Sequence, residues 1–198
     1  MKLLIDNGHG IKTPGKRSPG GEILEYAYTR EIARRIVADP RLKAYAPELL
    51  VPEDADIPLG QRCARANAWC DRLGANNVLL ISVHLNAAGA GQWMRARGWE
   101  AWTSPGQTKA DRLAECLYYA AVKCLPAGTP IRTDMVDGDR DKEAKFAILT
   151  GTRCPAVLTE NLFQDNRQDV AYLLSEEGKR AMAELHVRGL LTYLGFRF

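Results

Sequence analysis

The chain predicts an α/β fold, with a parallel or mixed sheet flanked by helices. Three observations carry that expectation. Leu3-Leu4-Ile5-Asp6, Val78-Leu79-Leu80-Ile81-Ser82-Val83 and Ala156-Val157-Leu158-Thr159 are short apolar runs of the kind shown by strands buried on both faces. Segments of helical period separate them, as alternating strands and helices require. Each run also ends in residues able to bind or assist a metal ion: Gly8-His9-Gly10, His84-Leu85-Asn86 and Glu160-Asn161. Sites in open α/β sheets gather at the carboxyl ends of strands, and two of the chain's three histidines stand there.

Each element follows from local signals. After the first run, residues 10–22 are rich in Gly, Pro and Lys and read as a loop. Residues 24–38 form a helix in which Glu25, Tyr28, Thr29, Ile32 and Ile36 share one face. Arg30, Glu31, Arg34 and Arg35 lie away from that face and read as solvated, and Asp39-Pro40 ends the helix. Leu49 to Pro52 is a short strand, and residues 58–73 are a helix stopped by Gly74. A strand at 77–84, an Ala/Gly-rich loop at 87–97 and an alternating strand at 98–103 follow. Residues 107–124 read as a helix, 126–143 as a flexible surface loop and the best place for a lid, and 145–150 as a short strand. The third site strand is 155–160, then helices at 166–174 and 175–193.

Bulk properties exclude several classes. The 198 residues are enough for one well-buried core, and with no repeat or linker, residues 1–198 read as one domain. The formal charge of +3 is too mild, and its basic residues too dispersed, for a nucleic-acid reader. No run of about 18 apolar residues is present to span a membrane. The N-terminus begins a strand at once and leaves no room for a signal peptide. The chain is therefore expected to be made in the cytosol, or to be a secreted protein whose leader was removed. Cys63, Cys70, Cys116, Cys124 and Cys154 are odd in number and lack a C-x-x-C pair, so buried free thiols are expected.

Catalytic zinc commonly takes three protein ligands, often two His and a carboxylate, and leaves a fourth position for water. A carboxylate outside that set can act as general base. His9, Glu25 and His84 supply such a set, and Glu160 is left for the base. Taken singly, each residue has an ordinary alternative: a hydrogen-bonded structural His, a Glu in a first helical turn, a capping Glu. The glycines on both sides of His9 favour the functional reading, since they let backbone and ligand approach closely. His186, far from any motif, reads as surface or packing.

Four motifs in register carry a family resemblance. Asp6-Asn7-Gly8-His9-Gly10, Glu25 opening a helix through Arg30-Glu31-Ile32-Ala33, Ser82-Val83-His84-Leu85-Asn86-Ala87, and Pro155 through Phe163 resemble the zinc-dependent N-acetylmuramoyl-L-alanine amidases of the amidase-3 type. Leu59-Gly60-Gln61-Arg62 with Ala66-Asn67, and Gly98-Trp99-Glu100-Ala101-Trp102, are smaller echoes. The resemblance implies a three-layer sandwich with a mixed, mostly parallel sheet of about six strands. It implies hydrolysis of the amide joining N-acetylmuramic acid to L-alanine in peptidoglycan, with one Zn2+ on His9, Glu25 and His84 and with Glu160 as the catalytic glutamate. Glu22 competes for the acidic ligand, and Glu25 is preferred for its spacing to Ile32-Ala33 and its inward face. A monomer acting on the cell wall, lysin-like, is expected. The 87–97 loop reads first as an ordinary exposed loop anchored by Trp93, with Trp93, Arg95 and Arg97 lining the substrate groove as the alternative. The other readings are a non-catalytic peptidoglycan-binding domain of the same fold and another zinc peptidase or deacetylase. The absence of an H-E-x-x-H helix weighs against the zincin peptidases.

Overall fold

A computed structural model describes residues 1–197. Strand β1 (Lys2–Asn7) is buried at every position, as its unbroken apolar run requires. Parallel to it lie β2 (Glu48–Leu49) on one side and β3 (Val78–Asn86) on the other. Strand β6 (Ala156–Phe163) pairs in parallel with β3. Strand β4 (Trp99–Thr103) then runs antiparallel to β6, and the two-residue β5 (Lys142–Glu143) closes the far edge. The six-stranded mixed sheet has the order β2-β1-β3-β6-β4-β5.

Helices cover both faces, because alternate residues of each central strand point to opposite sides. Leu3 and Ile5 of β1, with Leu79, Ile81 and Val83 of β3, pack under α1 (Glu25–Val37), α3 (Lys109–Cys124) and α6 (Glu176–Tyr193). Leu4, Leu80, Ala156 and Leu158 face α2 (Leu59–Leu73) and the single turn α4 (Ala147–Thr150). Helix α5 (Arg167–Leu174) follows β6 directly, capped by the Asn166 side chain. The expected three layers are present.

Four sequence expectations need correction. Residues 147–150 form a helical turn rather than a strand, begun by Phe146 in extended conformation. Arg30 is 2% exposed rather than solvated, because the 53–55 segment folds over the N-terminal half of α1 and offers it main-chain carbonyls. The 126–143 segment is a surface loop, with Val136 exposed at its middle, but it is held near both ends: Arg132 and Lys142 both reach Glu100, and Asp141 accepts from the Thr103 hydroxyl at 2.5 Å. Only Cys63, Cys70 and Cys154 are buried, while Cys116 and Cys124 are half-buried; all five thiols are free. A 3-10 turn, Pro40–Tyr45, links α1 to β2 where no element was expected.

Candidate metal centre

The strand register assembles the site. Asp6 lies beside Ser82, and Ser82 beside Leu158; one step further, His84 pairs with Glu160, and Glu160 with Glu100 of β4. All sit on the face toward α2 and α4, where the apolar residues give way to polar ones at the carboxyl ends of the strands. Gly8 occupies the β1 end of that row, and a Cβ there would run into the His84 imidazole. The glycine before His9 is thus required by close packing rather than by its backbone angles.

His9 follows with φ +62°, in the left-handed region, which turns its imidazole toward His84. The two rings stand 4.9 Å apart and nearly perpendicular. Glu25, at the first position of α1 and fully buried, enters between them. Its Oε1 lies 3.4 Å from His9 Nε2 and 3.3 Å from His84 Nδ1. One ligand atom from each of His9, Glu25 and His84 falls within 4.8 Å of the others. Two imidazole nitrogens and a carboxylate oxygen at that separation suit a zinc ion.

Glu25 is held from behind. The register of β3 against β6 shifts between His84 and Asn86, and the Leu85 N–H donates to Glu25 Oε1 at 3.0 Å. The buried Gln164 amide donates to Oε2 at 3.0 Å. Burial alone would raise the Glu25 pKa, but hydrogen bonding and charge from His84 and His9 outweigh it and hold the carboxyl well below the usual carboxylate range. The reciprocal effect raises His84: burial opposes its protonation, and Glu25 more than compensates. Glu22 is elsewhere, exposed, accepting from the Ser18 hydroxyl at 2.6 Å.

Glu160 behaves in the opposite sense. Burial, with Glu25 and Glu100 adding repulsion against the pull of His84, pushes its pKa up to about 8. Its Oε2 is buried and has no hydrogen-bond partner. Glu100, by contrast, is fully satisfied, accepting from Asn86, Trp102, Arg132 and Lys142. His9, His84 and Glu160 line a cleft of about 550 Å³, walled by Ile57, Leu59, Phe146 and Ile148 and edged by Lys16.

In the 87–97 loop, Trp93 is packed against the core and Arg97 is held within the fold, as an anchored surface loop would have them. Arg97 is committed to Asp169 at 3.2 Å and to Gln168 at 2.7 Å. Trp93 is half-buried beneath the Arg167 guanidinium, 4.3 Å from its ring centre. His186 is fully buried between Thr159 and the Met182 carbonyl, which makes it packing. Gln164 carried no sequence signal, since a lone Gln directly after a strand motif resembles any turn residue.

Known proteins resemble the chain in both sequence and fold. The family model described as N-acetylmuramoyl-L-alanine amidase, Amidase_3, matches residues 3–192. The endolysin of Bacillus phage SPP1 is 28% identical over 197 residues, 98% of this chain and 66% of that protein. The N-acetylmuramoyl-L-alanine amidase CwlM of Bacillus licheniformis is 28% identical over 191 residues, 96% of this chain and 67% of its own length. The chain thus spans about two thirds of these relatives. The catalytic domain of CwlV, an N-acetylmuramoyl-L-alanine amidase from Bacillus (Paenibacillus) polymyxa var. colistinus, superposes with a TM-score of 0.78 at 23% identity, covering 100% of both chains, which supports the fold. With nearly its whole length matched in sequence and fold, the chain belongs to the Amidase_3 family of N-acetylmuramoyl-L-alanine amidases.

Proposed function

We propose that this chain is a single catalytic domain that hydrolyses the amide between N-acetylmuramic acid and the L-alanine of the peptidoglycan stem, acting on the cell wall as a monomer. The observation that carries the reading is the convergence of His9, Glu25 and His84 beside a carboxyl group, Glu160, with an unpartnered buried oxygen. The three converging residues would hold one Zn2+. Bound there, the ion supplies Lewis acidity that polarises the amide carbonyl and activates the attacking water.

The chain's own residues do the rest. Gln164 and the Leu85 N–H orient the Glu25 carboxylate, and the low pKa of Glu25 keeps it ionised for a cation at neutral pH. Glu160, one strand across from His84, takes a proton from the attacking water and returns it to the departing alanine nitrogen. A carboxyl whose pKa lies near 8 before a cation arrives can exchange a proton at physiological pH, and a cation would shift it toward the ionised form the base needs. The apolar wall of the cleft excludes water around the scissile bond.

Metal analysis of the purified protein, with release of stem peptides from sacculi before and after chelation, tests the proposal. About one equivalent of zinc, and new N-terminal L-alanine that disappears on chelation and returns with zinc, are expected. Release of acetate or a free D-amino acid instead would establish a different hydrolase. Sacculus binding with no release, zinc present, would establish a binding domain. No described helix is long and apolar enough to cross a membrane.

A further inference from the structure

The conformation of His9 is one that a residue with a Cβ rarely holds unaided. Relaxation to an ordinary backbone angle would swing its imidazole away from His84 and Glu25. Two buried guanidiniums oppose that. The His9 carbonyl oxygen accepts from Arg30 Nη2 at 3.1 Å and from Arg62 Nη2 at 3.0 Å. The two arginines come from helices on opposite faces of the sheet, α1 and α2.

Neither guanidinium is free to do anything else. Arg62 donates to Asp6 Oδ1 at 2.8 Å, to the Asn7 carbonyl at 2.7 Å and to the Ile57 carbonyl at 2.8 Å. Arg30 donates to the carbonyls of Tyr26 at 3.0 Å and Glu53 at 2.8 Å. Its nearest carboxylate, Asp54, is 3.6 Å away and largely exposed. Burial first, then the charge of Arg62, depresses the Arg30 pKa below the ordinary arginine value. A cation buried without a buried counter-ion is costly unless hydrogen bonds satisfy its donors, and main-chain carbonyls do so here. One Arg30 donor, Nη2, reaches the His9 carbonyl, and the others tie that same guanidinium to the Tyr26 carbonyl and the 53–55 segment.

We infer that Arg30 and Arg62 are positioning residues that lock the His9 peptide in its left-handed conformation, so that the imidazole is presented to the metal before the ion arrives. The inference rests on the reading of His9, Glu25 and His84 as a metal centre. The fork geometry matters as well as the charge, because each guanidinium ties His9 to other carbonyls at once.

Zinc affinity of the full chain, measured by competition with a chromophoric chelator, tests this together with the visible spectrum of the cobalt-loaded protein. Arg62→Ala and Arg30→Ala are each expected to weaken zinc binding about tenfold or more, the scale seen when a residue supporting a ligand is lost, and to change the cobalt bands. Guanidinium ion added to Arg62→Ala should restore affinity in part. If the alanine variants fail to fold, Arg62→Lys and Arg30→Lys decide, with a smaller loss in the same direction. Leu117→Ala, a cavity between α3 and α6, controls for general destabilisation and should bind zinc as the parent does. Parental affinity and unchanged cobalt bands in the arginine variants would overturn the inference, as would an equal loss in Leu117→Ala. A parent chain that binds neither zinc nor cobalt overturns the metal reading beneath it, and is recognised before any variant is made.

Discussion

The two faces of the sheet are built from the same strands and hold opposite chemistry. On the face toward α1, α3 and α6, β6 contributes Val157, Thr159 and Asn161, and its two polar side chains are satisfied within the fold. The Thr159 hydroxyl meets His186 Nε2 at 2.9 Å, and Asn161 accepts from Trp99 at 2.9 Å and donates to the His84 carbonyl at 3.0 Å. On the face toward α2 and α4, the same strand contributes Ala156, Leu158 and Glu160, and Glu160 keeps an unpartnered oxygen. Two histidines make the contrast concrete. His186 is buried with no carboxylate beside it, and its pKa falls to about 4; His84 shares Glu25 and is raised. Burial alone silences an imidazole, whereas a converging carboxylate makes it a ligand candidate. Asn7 and the Tyr28 hydroxyl are exceptions on the first face, buried without a hydrogen-bond partner, and nothing in the structure explains them.

The sharpest way to break this contrast is Glu160→Gln. It should lower turnover on sacculi by about 10²- to 10⁴-fold while the fold survives, because the group lost is a proton carrier and not a packing element. Undiminished release of stem peptides would remove Glu160 from that role.

The next effect is on stability and belongs to the opposite face. His186 Nδ1 lies 2.6 Å from the Met182 carbonyl, so Nδ1 carries the hydrogen and Nε2 accepts from Thr159, the neutral form. Its folded pKa of about 4 lies below the unfolded value of about 6.5. The unfolded chain therefore binds more protons between these values, and stability is lost as pH falls through that window. The loss is on the order of 3 kcal/mol. Urea midpoints from pH 7 to 4 should fall less steeply for His186→Gln than for the parent; equal slopes would show that His186 does not titrate differently on folding.

Smaller changes probe the metal-bearing edge. Gly8→Ala forces the His84 ring aside, at about 1–3 kcal/mol of stability, and should weaken metal binding as well. If only stability falls, Gly8 packs the strand without shaping the site. The smallest effect expected is from Glu100→Gln. Glu100 helps to raise the Glu160 pKa, so removing its charge should move the acid limb of the kcat/KM profile to lower pH. An unmoved limb would assign that limb to another group.

Much of this was legible beforehand because strands and site share one signal. The apolar runs of β1, β3 and β6 report burial, and the polar residue that ends each run reports the edge where burial stops. The helical period that turned Glu25 inward also marked Tyr28 and Ile32 correctly, since all three share one face. The same period misread Arg30. Helical phase says which way a side chain points, not whether a distant loop will cover it, and residues 53–55 do so here. The 147–150 turn was misread for a related reason: four residues are too few for a period, and packing against α2 decided their conformation.

Sequence by itself therefore determined the fold class and the order of the central strands and main helices, because burial and periodicity are local properties of a chain. The four residues proposed to bind and catalyse were named from strand ends, helical phase and the family resemblance together. Tertiary structure alone decided what surrounds them. The row running from Gly8 through His84 and Glu160 to Glu100 exists only once strands far apart in sequence pair in register. The Gln164 contact to Glu25, the two guanidiniums on the His9 carbonyl and the raised pKa of Glu160 all arise from groups brought together across the sheet. Hydrogen bonds and charge act through space over a few ångströms, and no spacing along the chain encodes that distance.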